Sequence, residues 1–140
     1  MDTSLLVKGI QPHEVDAYRN QICMYYDLLK KKQLDDEDNE ELLEKLKSNF
    51  YQGFLGYSFG VESCLVVTQM YYEPSGKKTG HIKFVAGKNR INYNAILSQL
   101  EKWLKDCGCD KVRLTARVGW VRKLSLGGYR TKALELEKVI

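Results

Sequence analysis

Nowhere in these 140 residues does an apolar run approach the ~18 that a membrane-spanning helix needs. Residues 1–10 lack the basic start, apolar stretch and small-residue cleavage site of a secretion signal, so a cytoplasm is the expected compartment. Histidine is scarce, with only His13 and His81. The four cysteines, Cys23, Cys64, Cys107 and Cys109, are unevenly spread in a chain large enough to fold without staples, and reduced thiols are expected. Cys107-Gly108-Cys109 is not a CxxC knuckle and no second ligand pair accompanies it, so no metal site is expected. Internal repeats and low-complexity segments are absent too. An apolar share of 44% and a charged share of 29% describe a globular chain that buries its own core, and the length suits a single domain over 1–140.

The formal charge of +4 hides an asymmetry. Residues 1–75 sum to −6 and residues 76–140 to +10. The acidic excess is concentrated in 35–41, which reads as a solvated linker entering a helix N-terminus, where carboxylates suit the helix dipole. The basic half faces either solvent, a phosphate-bearing ligand or nucleic acid, because a one-sided positive field concentrates anions.

Residues 4–10 read as a short strand, followed by Pro12 at a helix start. Val15, Tyr18, Ile22, Tyr25 and Leu29 recur at helical spacing up to Lys30-Lys31-Lys32, and Leu42, Leu43, Leu46 and Phe50 mark a shorter second helix. The aromatic-rich run 50–59, the run 64–72 and the alternating run 81–86 predict a three-strand antiparallel meander, with 74–80 as the last turn. Ile96, Leu97, Leu100, Trp103, Leu104 and Cys107 form one face of a long helix that Gly108 ends. Strict alternation over 111–118 follows. A strand, helix, strand passage of this length requires a right-handed crossover, so 111–118 is predicted to lie parallel to 81–86. A short helix over 119–126, closed by Gly127-Gly128, and a terminal strand over 129–140 complete the chain.

The order β-α-α-β-β-β-α-β-α-β is similar to that of the Gcn5-related N-acetyltransferases, the GNAT superfamily: a mixed, mostly antiparallel α/β sheet flanked by helices. The segment from His81 to Tyr129, with its long helix ending "KDCGCDKVRL", resembles the acetyl-CoA-binding core of that family. The stretch "ARVGWVRKLSLGGY", 116–129, resembles short GNAT-like proteins carried by tailed bacteriophages. The resemblance implies acetyl-CoA as the cofactor and transfer of its acetyl group to an amine, on a small molecule or a protein.

In that family a loop of pattern Gln/Arg-x-x-Gly-x-Gly/Ala opens the long helix, and its backbone N–H groups hold the coenzyme A pyrophosphate. The matching residues are Arg90, Ile91, Asn92, Tyr93, Asn94 and Ala95. Arg90 and Ala95 fit, whereas Tyr93 stands where glycine is expected; Gly87 and Lys88 lie just upstream. The resemblance makes Lys88, Arg90, Asn92, Tyr93, Asn94 and Ala95 the expected phosphate-binding residues, and the backbone of Phe84, Val85 and Ala86 the expected site for the thioester. Glu62, Glu73, His81 and Tyr72 lie near strand ends and are the candidate bases for deprotonating the acceptor amine. Leu124 falls where the family often carries a tyrosine that protonates the departing thiolate. Tyr93 and Leu124 together support an alternative, a non-catalytic GNAT-like bacteriophage protein serving as a virion component or as a binder of a host factor. Trp103 is expected in the core, while Tyr51, Tyr57, Tyr71 and Tyr72 suit either packing or an acceptor pocket.

Overall fold

The computed structural model describes residues 6–32, 35–87, 91–116, 121–133 and 136–140. Five strands form one sheet in the order β1-β2-β3-β4-β5: β1 Val7–Ile10, β2 Gln52–Ser58, β3 Val61–Tyr72, β4 Lys78–Gly87 and β5 Lys111–Leu114. The first four are antiparallel neighbours, and β5 joins β4 in parallel, the crossover expected from the sequence. Helices α1 (Arg19–Lys31) and α2 (Asn39–Lys47) precede the meander; α3 (Tyr93–Asp106) makes the crossover, and the short α4 (Val121–Ser125) follows β5.

Local chemistry accounts for the boundaries. The first helix begins later than its apolar spacing suggests, because Pro12–Glu14 forms a separate 3-10 turn in which the Gln11 N–H donates to Glu14 Oε1 at 3.0 Å. The acidic run supplies Glu40 and Glu41 to the first turn of α2, where they face the positive end of the helix dipole. Gly108, at φ +89°, ends α3 in the left-handed conformation that glycine adopts without strain.

The sheet is covered on both faces. Ile22, Tyr25, Tyr26 and Leu29 of α1 and Leu42, Leu43 and Leu46 of α2 bury against Leu55, Leu65, Val67, Phe84 and Ala86. Ile96, Leu97, Leu100 and Leu104 of α3 bury against Phe54, Cys64, Val66 and Ile82 on the other face. Trp103 is partly buried and meets Phe54 edge-on, with ring centroids 4.8 Å apart. Gln99 binds α3 to β1 by accepting the N–H groups of Leu6 and Val7, each at 3.1 Å. No described helix is long and apolar enough to cross a membrane.

The C-terminal end departs from expectation. Residues 129–133 and 136–140 form no strand, and Leu136, Val139 and Ile140 are fully exposed. Alternation alone does not make a strand without a neighbour to complete its ladder. The tail is rooted instead on α3, where the Tyr129 hydroxyl donates to Glu101. The strand expected over 111–118 ends at Leu114; of its remainder, 117 and 118 lie outside the described residues.

Gly87 sets how β4 hands over to α3. A Cβ there would lie 2.6 Å from the Ser63 carbonyl oxygen and 2.4 Å from Ile91 Cδ1, closer than atoms pack. Gly87→Ala is therefore expected to lower stability by about 1–3 kcal/mol, read as a fall in urea midpoint at unchanged slope. A midpoint equal to that of the unmodified chain would contradict this packing.

Candidate active site

β5 stays with β4 for only four residue pairs, from Thr79↔Lys111 to Ile82↔Leu114. The Thr115 N–H donates to the Ile82 oxygen at 3.2 Å, and from Lys83 onward no described residue pairs with that edge of β4. The two strands fork here.

The fork opens where β4 is itself irregular. Against β3, Val67 pairs with Phe84 and Thr68 with Ile82, so Lys83 is an extra residue and the strand carries a β-bulge. Two consecutive side chains consequently lie on the α1/α2 face: the Lys83 ammonium sits 5.1 Å above the Tyr51 ring, and Phe84 stacks on Tyr26 at 5.5 Å. Ile82 before the bulge and Val85 after it both turn to the α3 face. Along 83–87 the β4 edge facing the fork is extended backbone without a ladder partner. Such an edge accepts a ligand laid alongside it like another strand.

The far end of the fork leads to the N-terminus of α3, whose first-turn N–H groups attract anions. Asn92 caps the helix: its side chain accepts the Ala95 N–H at 3.4 Å, and its own N–H donates to Ser58 Oγ at 2.9 Å. Asn92 and Asn94 are exposed, and Tyr93 and Ala95 are half-buried. Lys88 and Arg90 lie outside the described residues.

The candidate bases separate clearly. His81 stands at the mouth of the fork, one residue before Ile82, with Nε2 2.8 Å from Thr115 Oγ1. Burial holds its pKa below the ordinary imidazole value, and the nearby Lys83 and Arg113 cations push it the same way. Glu73 is committed elsewhere. It binds Lys111 Nζ at 2.7 Å and Arg113 Nη2 at 2.9 Å, and accepts the Thr79 hydroxyl at 3.0 Å. Lys111 foremost among these partners lowers its pKa. Glu62 accepts the Tyr25 hydroxyl at 3.0 Å. Because Cys64 pairs with Gly87, Glu62 sits beyond the C-terminal end of β4, whereas the bulge is four residues back, about 13 Å at strand rise. Tyr72 is exposed, beneath the Lys78 ammonium. Leu124 is half-buried and packs into the α3-side core.

Sequence reasoning missed the bulge, Thr115, and the pairing of Arg113 with Glu73. The bulge had one signal: Phe84-Val85-Ala86 are all apolar, which breaks the alternation running from His81 to Lys83.

Cys23, Cys64, Cys107 and Cys109 are free thiols, and no cluster of three or more His, Cys, Asp or Glu residues suited to a metal occurs among the described residues.

No family model matches the chain, and no curated protein matches it in sequence. Solved structures do match, acetyltransferases among them. An aminoglycoside acetyltransferase from an uncultured soil metagenomic sample is similar at a TM-score of 0.69 and 12% identity, covering 96% of this chain and 97% of its own. Glucosamine-6-phosphate N-acetyltransferase from Arabidopsis thaliana gives 0.64 at 18% identity, covering 95% and 96%. A predicted acetyltransferase from Clostridium acetobutylicum, solved with acetyl-CoA, gives 0.67 at 14% identity, covering 95% and 94%. At these identities the likeness is one of fold, and the chain has the acetyltransferase fold over nearly its whole length.

The Glu73 cluster fastens the start of β5 and so fixes where the fork begins. Replacing Glu73 with Gln is expected to lower the urea midpoint at pH 7. A carboxyl whose pKa is depressed by folding stabilises above its unfolded value of 4.5 and loses that contribution as pH falls through the folded value. The deficit of the variant should thus shrink below pH 4.5, and a deficit independent of pH would contradict the ion-pair account.

Proposed function

We propose that this chain is an N-acetyltransferase, acting in a cytoplasm, that moves the acetyl group of acetyl-CoA to an amine. The observation that carries the proposal is the coincidence of fork and bulge: β5 leaves β4 at Ile82, and the extra residue in β4 is the next one, Lys83. An unladdered backbone edge and a titratable imidazole thereby meet at one place.

Acetyl-CoA fits this place in two respects and is met by competition in a third. The extended edge along 83–87 suits its amide-bearing arm, and the opening turn of α3 suits its phosphates. The Asn92 side chain already bonds the Ala95 N–H, so a phosphate here displaces that cap or uses the neighbouring N–H groups. When bound, acetyl-CoA supplies the acetyl group as a thioester and leaves as a thiol: a C–N bond forms, the C–S bond breaks, and one proton passes from the amine to solvent while the thiol gains another.

The residues of this chain would divide the work. His81, neutral at pH 7 because of its burial and its cationic neighbours, takes the proton from the amine. Its contact with Thr115 Oγ1 orients the ring. Those backbone N–H groups between Lys83 and Ala86 that point away from β3 would face the charge that develops on the thioester oxygen. Leu124 cannot donate a proton, so the departing sulfur takes its proton from water.

The half-buried Leu124 and the capped α3 N-terminus favour a second reading, a non-catalytic protein of the same fold that serves as a bacteriophage virion component or binds a host factor. None of the three acetyltransferases described above is given as a phage protein, and the fork with its histidine is better explained by catalysis.

Thiol release from acetyl-CoA in the presence of amines tests the proposal. His81→Gln is expected to reduce kcat/KM by ~10²–10⁴-fold while leaving acetyl-CoA affinity unchanged. The unmodified chain should lose kcat/KM only on the acid side, with the limb below pH 6.5 because the imidazole stays neutral to lower pH than usual. An unaltered rate in the variant would remove His81 from the role, and failure to bind millimolar acetyl-CoA would end the acetyltransferase reading.

A further inference from the structure

The sheet face that carries His81 is only partly covered. Helices α1 and α2 lie over Leu55, Leu65, Val67, Phe84 and Ala86, whereas Gln69, Tyr71, His81, Lys111 and Arg113 are only partly buried. The registers Gln69↔His81↔Arg113 and Tyr71↔Thr79↔Lys111 align these side chains in two cross-sheet rows, and the bulge adds Lys83 to them. Of the three cations here, Lys83, Lys111 and Arg113, the last two share a single carboxylate, that of Glu73. Lys83 has no carboxylate within ion-pair distance among the described residues, and only the Tyr51 ring lies beneath it. Arg113 is held in place by the Tyr71 hydroxyl at 3.1 Å and by Glu73, and its buried Nε has no acceptor. The acidic linker does not neutralise these charges: Glu37 is paired with Lys45, and Asp35 lies by Tyr26.

We infer that the acceptor carries an anionic group, phosphate or carboxylate, which Lys83 and Arg113 hold beside His81. This rests on the acetyl-transfer reading for the acceptor's role, while the anion site itself stands on geometry alone. Lys83 is two residues from His81 on the same strand, and Arg113 is its cross-strand partner, so an anion between them places an amine on the same small molecule within reach of the imidazole. The groups facing His81 are Lys83 on its own strand, Arg113 and Thr115 from β5, and Gln69 from β3. An added anion there favours the charged imidazole and raises its pKa.

Two measurements on the full chain separate this inference from the catalytic proposal. In the first, inorganic phosphate is titrated while the imidazole signals are followed by NMR, with His13 as the reference within the molecule. A saturable shift confined to His81, an upward move in its pKa, and loss of both in Lys83→Gln but not in the surface control Lys102→Gln are expected. No response, or an equal response in Lys83→Gln, overturns the anion site. In the second, ethanolamine is compared with O-phosphoethanolamine and β-alanine as acceptors, which distinguishes phosphate from carboxylate. At least one anionic amine should exceed ethanolamine by about ten-fold in kcat/KM, as for a charge-assisted contact, and Lys83→Gln should erase that advantage mainly through KM. Ethanolamine equal to or better than both overturns the inference. A specific phosphate response with no thiol release from any amine leaves the anion site standing and counts against acetyl transfer.

Discussion

The structure turns on one extra residue. With Lys83 inserted, β4 keeps its ladder with β3 on one edge yet bends away from β5 on the other. Without it, nothing in the backbone would prevent β5 from continuing alongside, and the edge proposed to hold the thioester would be closed by strand pairing. The same insertion changes the phase of the side chains, so Phe84 fills the α1/α2 core while Ile82 fills the α3 core. Site and core are thus set by one irregularity, and a deletion at 83 would disturb both.

Packing holds the bulge from either end. Before it, Gly80 lies so close to α3 that a Cβ would approach Leu104 Cδ2 to 2.7 Å; after it, Gly87 admits Ile91 against the Ser63 carbonyl. The helix is therefore seated against β4 on both sides of the fork, and its N-terminus is aimed at the end of the open edge. At the mouth, the Glu73 cluster joins β3 to β5 across β4. Arg113, which helps fasten the strands, also joins burial and Lys83 in holding the His81 pKa below the ordinary imidazole value, so fold stability and the protonation state of the proposed base share one cation.

Much of this was legible in the sequence because it rests on local periodicity. The amphipathic spacing from Ile96 to Leu104, bounded by two alternating runs, requires a crossover whatever the distant contacts are. What was not legible depends on partners far along the chain. Glu62 and Glu73 read equally well as bases until Tyr25 and Arg113, 37 and 40 residues away, are seen to engage them. The run 129–140 alternates as a strand does, yet among its described residues it has no ladder. The loop residues Lys88 and Arg90, central to the phosphate expectation, lie outside the described residues.

The central claim is that the open edge of β4 is a binding surface, and amide hydrogen exchange measured with and without acetyl-CoA tests it most directly. The amides between Lys83 and Gly87 that face away from β3 should exchange quickly alone and be protected when acetyl-CoA is added, while those of β2 remain unchanged. Saturating acetyl-CoA that leaves every amide in 83–87 unprotected would contradict the account.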